Sequence, residues 1–391
     1  MLKILFVLYH YFTTSSSIQV HTFANSLVER NNECIVAVPE SKETAAEYMD
    51  ERILYTPINY KETLHSDFGF SDGQGPDIIH AWTPREIVRK HCGLLMEKFP
   101  TSKLIVHLED NEEIVVEKIL GLPKAIIESL PNEKLQAITP DTLSHYKYYK
   151  HFLRDAHGVT IIVDTLLEFV PDSKPYMILW PIIDTVVYSP QEMSVNLREG
   201  LGIKPEECIV CYIGSAHSVN AHEVRSLYVA VALANREGLP VRLIRAGRDE
   251  CNLLGEQDEW ARKYCIELGF IERKDIPSYL ALADILIQPG KADRFSNYRF
   301  PSKIPEFLSM GKPVAVPDAN IGRLLKHKQE AFIMEQGDAL GILDAIKQLK
   351  TNNGLKEKLS IGGRQFALTN FDKKTITDKL EDFYKGIIRK G

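Results

Sequence analysis

Arg299-Phe300-Pro301-Ser302-Lys303-Ile304-Pro305-Glu306-Phe307-Leu308-Ser309-Met310-Gly311-Lys312-Pro313-Val314 is the stretch on which the reading of this chain turns. Pro301 suits the first position of a helix, where its missing N–H has no intrahelical partner to lose. A helix beginning there leaves the N–H groups of Ser302 and Lys303 pointing outward at the positive end of the dipole, a ready place for a phosphate. Lys303 adds a full charge and Arg299 a planar fork of donors. At roughly 100° per residue, Ile304, Phe307 and Leu308 form one apolar face. Lys303, Glu306 and Met310 share an adjacent edge that need not be buried. A cation beside a carboxylate suits a ligand with a diphosphate and ribose hydroxyls. Gly311 stops the helix, and 313–316 reads as the next strand. Taken alone, the block reads equally well as a surface ion pair at i,i+3 on an ordinary helix.

Working outward, the chain alternates short apolar runs with helical periodicity. Residues 1–8 (MLKILFVL) form a strand, and 18–30 carry Val20, Phe23, Ala24, Leu27 and Val28 at helical spacing. Residues 34–39, 76–84, 104–108, 208–213 and 283–289 read as further strands, and 373–389 as a helix with Ile376, Leu380, Phe383 and Ile387 on one face. Strands alternating with helices predict an α/β protein of doubly wound parallel sheets. Its 391 residues, 44% hydrophobic and 26% charged, suffice for two cores of roughly 150–200 residues each. The run Met177-Ile178-Leu179-Trp180-Pro181 marks the junction, giving domains 1–184 and 185–371 with a last helix, 372–391, that packs back on the first.

Several classes are set aside. A net charge of −6 lacks the basic footprint of a nucleic-acid binder. No run approaches the roughly 20 apolar residues that span a bilayer, and residue 1 leads straight into a strand, so a cytoplasmic protein is expected. Six scattered cysteines make no disulfide scaffold. Cys208 and Cys211 have CxxC spacing, but on a strand residues three apart face opposite sides, so they hold no metal together. Neither a metal nor a cofactor is expected. Ser144 to Arg154 mixes three tyrosines with three cations, which reads either as a peripheral membrane face or as a helix with snorkelling lysines.

The 299–314 block resembles the C-terminal signature of the retaining two-domain glycosyltransferases of family 4, in the subgroup with Pro-Ser-Lys, a Glu, then Gly-Lys-Pro-Val. Asp77-Ile78-Ile79-His80, Tyr212-Ile213-Gly214-Ser215, Leu243 to Arg248, Leu268-Gly269-Phe270-Ile271 and Ala283 to Pro289 follow in the order of that family. The resemblance implies the GT-B fold, two Rossmann-like domains facing across a cleft, and transfer of a hexosyl unit from a nucleoside-diphosphate sugar. The acceptor is then a glycan or a lipid-linked saccharide. Uridine is favoured as the base, and the resemblance implies polysaccharide or glycolipid synthesis. It places Lys303 and Arg299 on the leaving diphosphate, with Glu306, Ser302, Gly214, Ser215, Phe270, Ile271 and Tyr298 around the donor. Arg248, just past its strand, is a second phosphate candidate or a solvated helix-start residue. In the N-terminal domain the resemblance points to Glu109 and Asp110, with His107 beside them, and to a loop in which Ser15, Ser16 and Ser17 replace the usual glycines. Those serines equally suit simple N-capping, and His80 equally suits the core or the acceptor.

Two departures stand out. The first glutamate of the family's pair is Tyr298 here, and the Arg and Lys that clamp the diphosphate after Gly214 are replaced by Ser215-Ala216-His217-Ser218. They keep a rival reading open: a nucleotide-sugar-binding regulator of the same fold without turnover. An epimerase or phosphorylase of this architecture explains the fold but explains the 299–314 block less well.

Overall fold

The computed structural model of the chain describes residues 1–49, 52–255 and 258–389. These divide into two units. The first comprises Met1–Ile182, Tyr298–Phe300 and Lys373–Gly391, the second Ile183–Asn297 and Pro301–Asp372.

In the first unit, strands β1 (Lys3–Leu8), β2 (Glu33–Val38), β3 (Thr56–Asn59), β4 (Ile78–Trp82), β5 (Lys103–Leu108), β6 (Gly158–Ile161) and β7 (Tyr176–Ile178) form one sheet in the order β3-β2-β1-β4-β5-β6-β7. Every pairing is parallel. In β1, β2 and β5 all residues but the first are buried, as expected of parallel strands covered on both faces. The helix Ser15–Val28 follows β1. Its N-cap is Thr14, whose side chain accepts from the N–H of Ser17 while Ser17 returns the bond, a capping box. The last helix, Lys373–Arg389, belongs to this unit and lies against Ser15–Val28. Thr377 Oγ1 donates to Ser26 Oγ at 2.9 Å, and Lys373 pairs with Glu29 at 2.8 Å.

The second unit repeats the plan. Strands β8 (Cys208–Ile213), β9 (Val241–Ala246), β10 (Cys265–Glu267), β11 (Ile285–Ile287), β12 (Val314–Pro317) and β13 (Phe332–Met334) are ordered β10-β9-β8-β11-β12-β13, again all parallel. Cys208, Val210 and Tyr212 face the core shared with the helix Ala221–Arg236, while buried Cys211 lies outside that cluster, in keeping with strand alternation.

Two expectations change. The helix of the decisive block spans Ile304–Ser309, with Pro305 in its first turn. Residues 301–304 form a preceding turn, closed by Ile304 N donating to Pro301 O at 3.0 Å. Two prolines satisfied the same rule, and the turn took the first. Met310 is fully buried rather than on an open edge. Lys373–Gly391 groups with the first unit, and so does the short stretch Tyr298–Phe300.

Candidate functional site

In each unit the chain reverses its direction of winding at one place, between β1 and β4 and between β8 and β11. Open parallel sheets bind ligands beyond the carboxyl ends of the strands at such points. The candidate residues collect there.

In the second unit, β8 ends at Ile213 and the chain passes through Gly214 and Ser215. Gly214 N donates to Ala246 O at 2.7 Å, and Arg248 N donates to Ser215 Oγ at 3.3 Å. Gly247 has φ +135°, and a Cβ on it would lie 2.3 Å from Gly214 O, so the two strand ends meet backbone to backbone. Lys303 reaches over this junction. Its Nζ donates to Tyr212 Oη at 3.3 Å and stands 4.8 Å from the centre of the Tyr212 ring. Arg248 is exposed and lies 4.6 Å over the ring of Phe270, which is 63% exposed. Ile271 beside it is half-buried.

Glu306 projects from the first turn of the helix Ile304–Ser309, its side chain 15% exposed and 3.6 Å from Arg273. Burial pushes its carboxyl above the usual range, opposed by the nearby charges of Arg273 and Lys303. Ser302 is exposed in the turn before it.

In the first unit, Ser16 at the start of Ser15–Val28 donates its hydroxyl to Glu109, just past β5. Trp82, the last residue of β4, donates its indole N–H to the other carboxylate oxygen at 2.7 Å. The Trp82 ring lies 3.9 Å from that of His107. Burial pushes the Glu109 carboxyl up to about 7, against the two hydrogen bonds that favour its charged form; Asp110 raises it further and Arg85 lowers it. Buried Arg85 stands 3.1 Å from Glu112, 3.8 Å from Asp110 and 5.4 Å from the Tyr9 ring centre. A neutral-range carboxyl, an indole and a paired arginine thus share one strand-end cluster.

Residues 207–352 match the family Glycosyl transferases group 1. Across 295 residues, 69% of this chain and 83% of the relative, the sequence is 22% identical to the lipopolysaccharide core biosynthesis glycosyltransferase LpsD of Rhizobium meliloti. The crystal structure of HepE from Anabaena in complex with UDP-glucose superposes with a TM-score of 0.71 at 16% identity, covering 99% of this chain and all of that one. Sucrose-phosphate synthase from Thermosynechococcus elongatus gives 0.71 at 13% identity, with full coverage of both chains. The architecture is the GT-B fold of two Rossmann-like units.

The matched segment contains Gly214, Ser215, Arg248, Phe270, Ile271, Ser302, Lys303 and Glu306. Tyr298 and Arg299, expected with them, group with the first unit. There Tyr298 donates its hydroxyl to Glu168 and packs on Phe169. The cation that stands over the junction of β8 and β9 is Lys303. Of the three serines, Ser16 meets Glu109, Ser17 is spent in the capping box and Ser15 is exposed. His80 is not an acceptor contact. It is fully buried, with Nδ1 2.7 Å from Tyr384 Oη and Nε2 2.9 Å from Thr160 Oγ1, and burial holds its pKa down to about 3. The aromatic and cationic segment 144–154 is used inward as well: Tyr146 and Tyr149 are buried and donate to Glu113, each at 3.1 Å, and Lys150 pairs with the same carboxylate at 2.6 Å. Lys150, His151 and Arg154 of the same segment are exposed. Among the described residues no helix is long and apolar enough to cross a membrane. Trp82, Arg85, Tyr212 and Arg273 were missed as site residues; the first three sit on or beside buried strands, where type and periodicity mark core and nothing more.

Proposed function

We propose that the chain is a retaining, metal-independent glycosyltransferase that moves a hexosyl unit from a nucleoside-diphosphate sugar, UDP-sugar favoured, to a glycan or lipid-linked saccharide in polysaccharide or glycolipid synthesis. The observation that carries this reading is Lys303 standing over the Gly214 and Gly247 junction, with Glu306 one helical turn on. In the reaction the bond from the anomeric carbon to the diphosphate oxygen breaks, and a bond from that carbon to an acceptor oxygen forms. The acceptor proton leaves with the diphosphate. Charge builds on the departing phosphate, and a fixed ammonium stabilises it more in the transition state than in the ground state. Glu306 accepts hydrogen bonds from the ribose, and Phe270 with Ile271 borders the base. Within the first unit, Glu109, Asp110 and Ser16 are the polar groups suited to saccharide hydroxyls. The family match at 207–352, a relative named for lipopolysaccharide core synthesis and a fold neighbour crystallised with UDP-glucose support the donor class and the setting.

The test is calorimetric titration with a panel of UDP- and GDP-sugars in chelator, with nucleotide release followed in the same samples. Saturable binding of one donor with slow release of its nucleoside diphosphate is the expected result. Binding with no release, even with saccharide acceptors present, would favour the regulatory reading that the replaced clamp residues at 215–218 keep alive. No binding of any donor would refute the site.

A further inference from the structure

After Gly214 this chain has no lysine or arginine within the turn that leads to the helix Ala221–Arg236. Ser215-Ala216-His217-Ser218-Val219-Asn220 instead folds on itself, with His217 N donating to Asn220 Oδ1 at 2.8 Å and Asn220 Nδ2 to Ser215 O at 3.1 Å. Arg248 stands off over Phe270, so the ammonium beside Gly214 is that of Lys303, although a lysine side chain is long and loses much rotamer freedom when it is held still. The residue that holds it is Tyr212. Its ring is 1% exposed, locked in the core at the end of β8. Its hydroxyl accepts from Lys303 Nζ at 3.3 Å, and its π face lies under the ammonium at 4.8 Å. Gly214 leaves the space in which the two meet: a Cβ there would stand 2.8 Å from Lys303 Nζ and 2.9 Å from Tyr212 Oη.

We propose that Tyr212 is the positioning residue of the donor site, a rigid seat that fixes Lys303 against the diphosphate and compensates for the missing cations of the 215–218 turn, with Gly214 as the vacancy that permits it. This rests on the nucleotide-sugar reading of the same site. An ammonium has three N–H donors. One is spent on Tyr212, and two remain directed by that bond toward a phosphate. The ordering cost of the lysine is met in folding rather than at binding, which strengthens association without a new ligand contact.

The experiment titrates UDP and, separately, uridine into the full chain and into Tyr212→Phe, Lys303→Met and the double variant, each checked for an unchanged thermal melt. Loss of one hydrogen bond to a charged group should weaken UDP binding about tenfold in Tyr212→Phe. Uridine, which has no phosphate, should bind within about twofold of the parent protein. In the Lys303→Met background the Tyr212 substitution should change UDP affinity by less than about twofold, because the seat then has nothing to hold. An equal loss for uridine, a loss that persists without Lys303, or no loss at all would overturn the proposal while leaving the donor site standing. A parent protein that binds no UDP overturns the donor reading and this one with it. Should Tyr212→Phe fail to fold, Gly214→Ala replaces it: its methyl group parts Lys303 from Tyr212, and it should show the same loss for UDP and not for uridine. UDP affinity equal to the parent's would then refute the seat.

Discussion

Glu109→Gln isolates a carboxyl of the first unit that burial raises strongly. Burial raises Glu109 from an ordinary 4.5 to about 7. A group whose folded pKa lies above its unfolded value contributes stability that is fully present below the unfolded pKa and is lost as pH rises through the folded one. The window is therefore pH 4.5 to 7, and at 1.36 kcal/mol per pKa unit the loss amounts to about 3 kcal/mol. Glutamine cannot ionise, so the variant escapes it. It also keeps only one oxygen for the two donors Ser16 and Trp82, a handicap of about 1–3 kcal/mol that does not vary with pH. The variant should be the less stable protein at pH 4.5 and should gain about 3 kcal/mol on the parent by pH 8. Paired urea denaturations at half-unit pH steps measure the difference. Trp82, 2.7 Å from the carboxylate, reports the unfolding, and its emission in the parent should shift with a midpoint near 7. A stability difference that is flat from pH 4.5 to 8 would show that Glu109 titrates as an ordinary surface carboxyl, and the argument from burial would fail.

Three further outcomes follow from the geometry. Gly247→Ala places a Cβ 2.3 Å from Gly214 O at φ +135°, so it should cost about 2–4 kcal/mol and abolish nucleotide binding; a urea midpoint equal to the parent's would show that the β8 and β9 ends are not in contact. His80 is held neutral, its pKa lowered to about 3 by burial, so its contribution is present above pH 6.5 and lost as pH falls below it; His80→Phe should flatten the acid limb of the stability profile between pH 6 and 4, and an unchanged limb would return His80 to the surface. Glu306→Ala should weaken UDP binding roughly tenfold, through the loss of charge-assisted hydrogen bonds to the ribose, with little change in melting temperature because the apolar face of its helix is untouched; equal affinities would remove Glu306 from the site.

What the sequence determined by itself is local. Apolar runs such as ILFVL and CIVCYI, separated by helical periodicity, are enough to specify parallel strands buried on both faces, and Ile376, Leu380, Phe383 and Ile387 mark the last helix. Lys303 and Glu306, three residues apart, could be recognised for the same reason: one turn of backbone sets their spacing. Tertiary structure decided everything that joins distant strands. Ser16 and Glu109 are 93 residues apart, Tyr212 and Lys303 are 91 apart, and each pair meets only because a parallel sheet lines up the carboxyl ends of its strands. It also decided that the helix begins at Ile304 with Pro305 in its first turn, which serine completes the capping box and which serine reaches the carboxylate, and that His80 lies in the core between Thr160 and Tyr384. Periodicity records which face of an element is buried; which partner waits there depends on the sheet order, and no local pattern carries that.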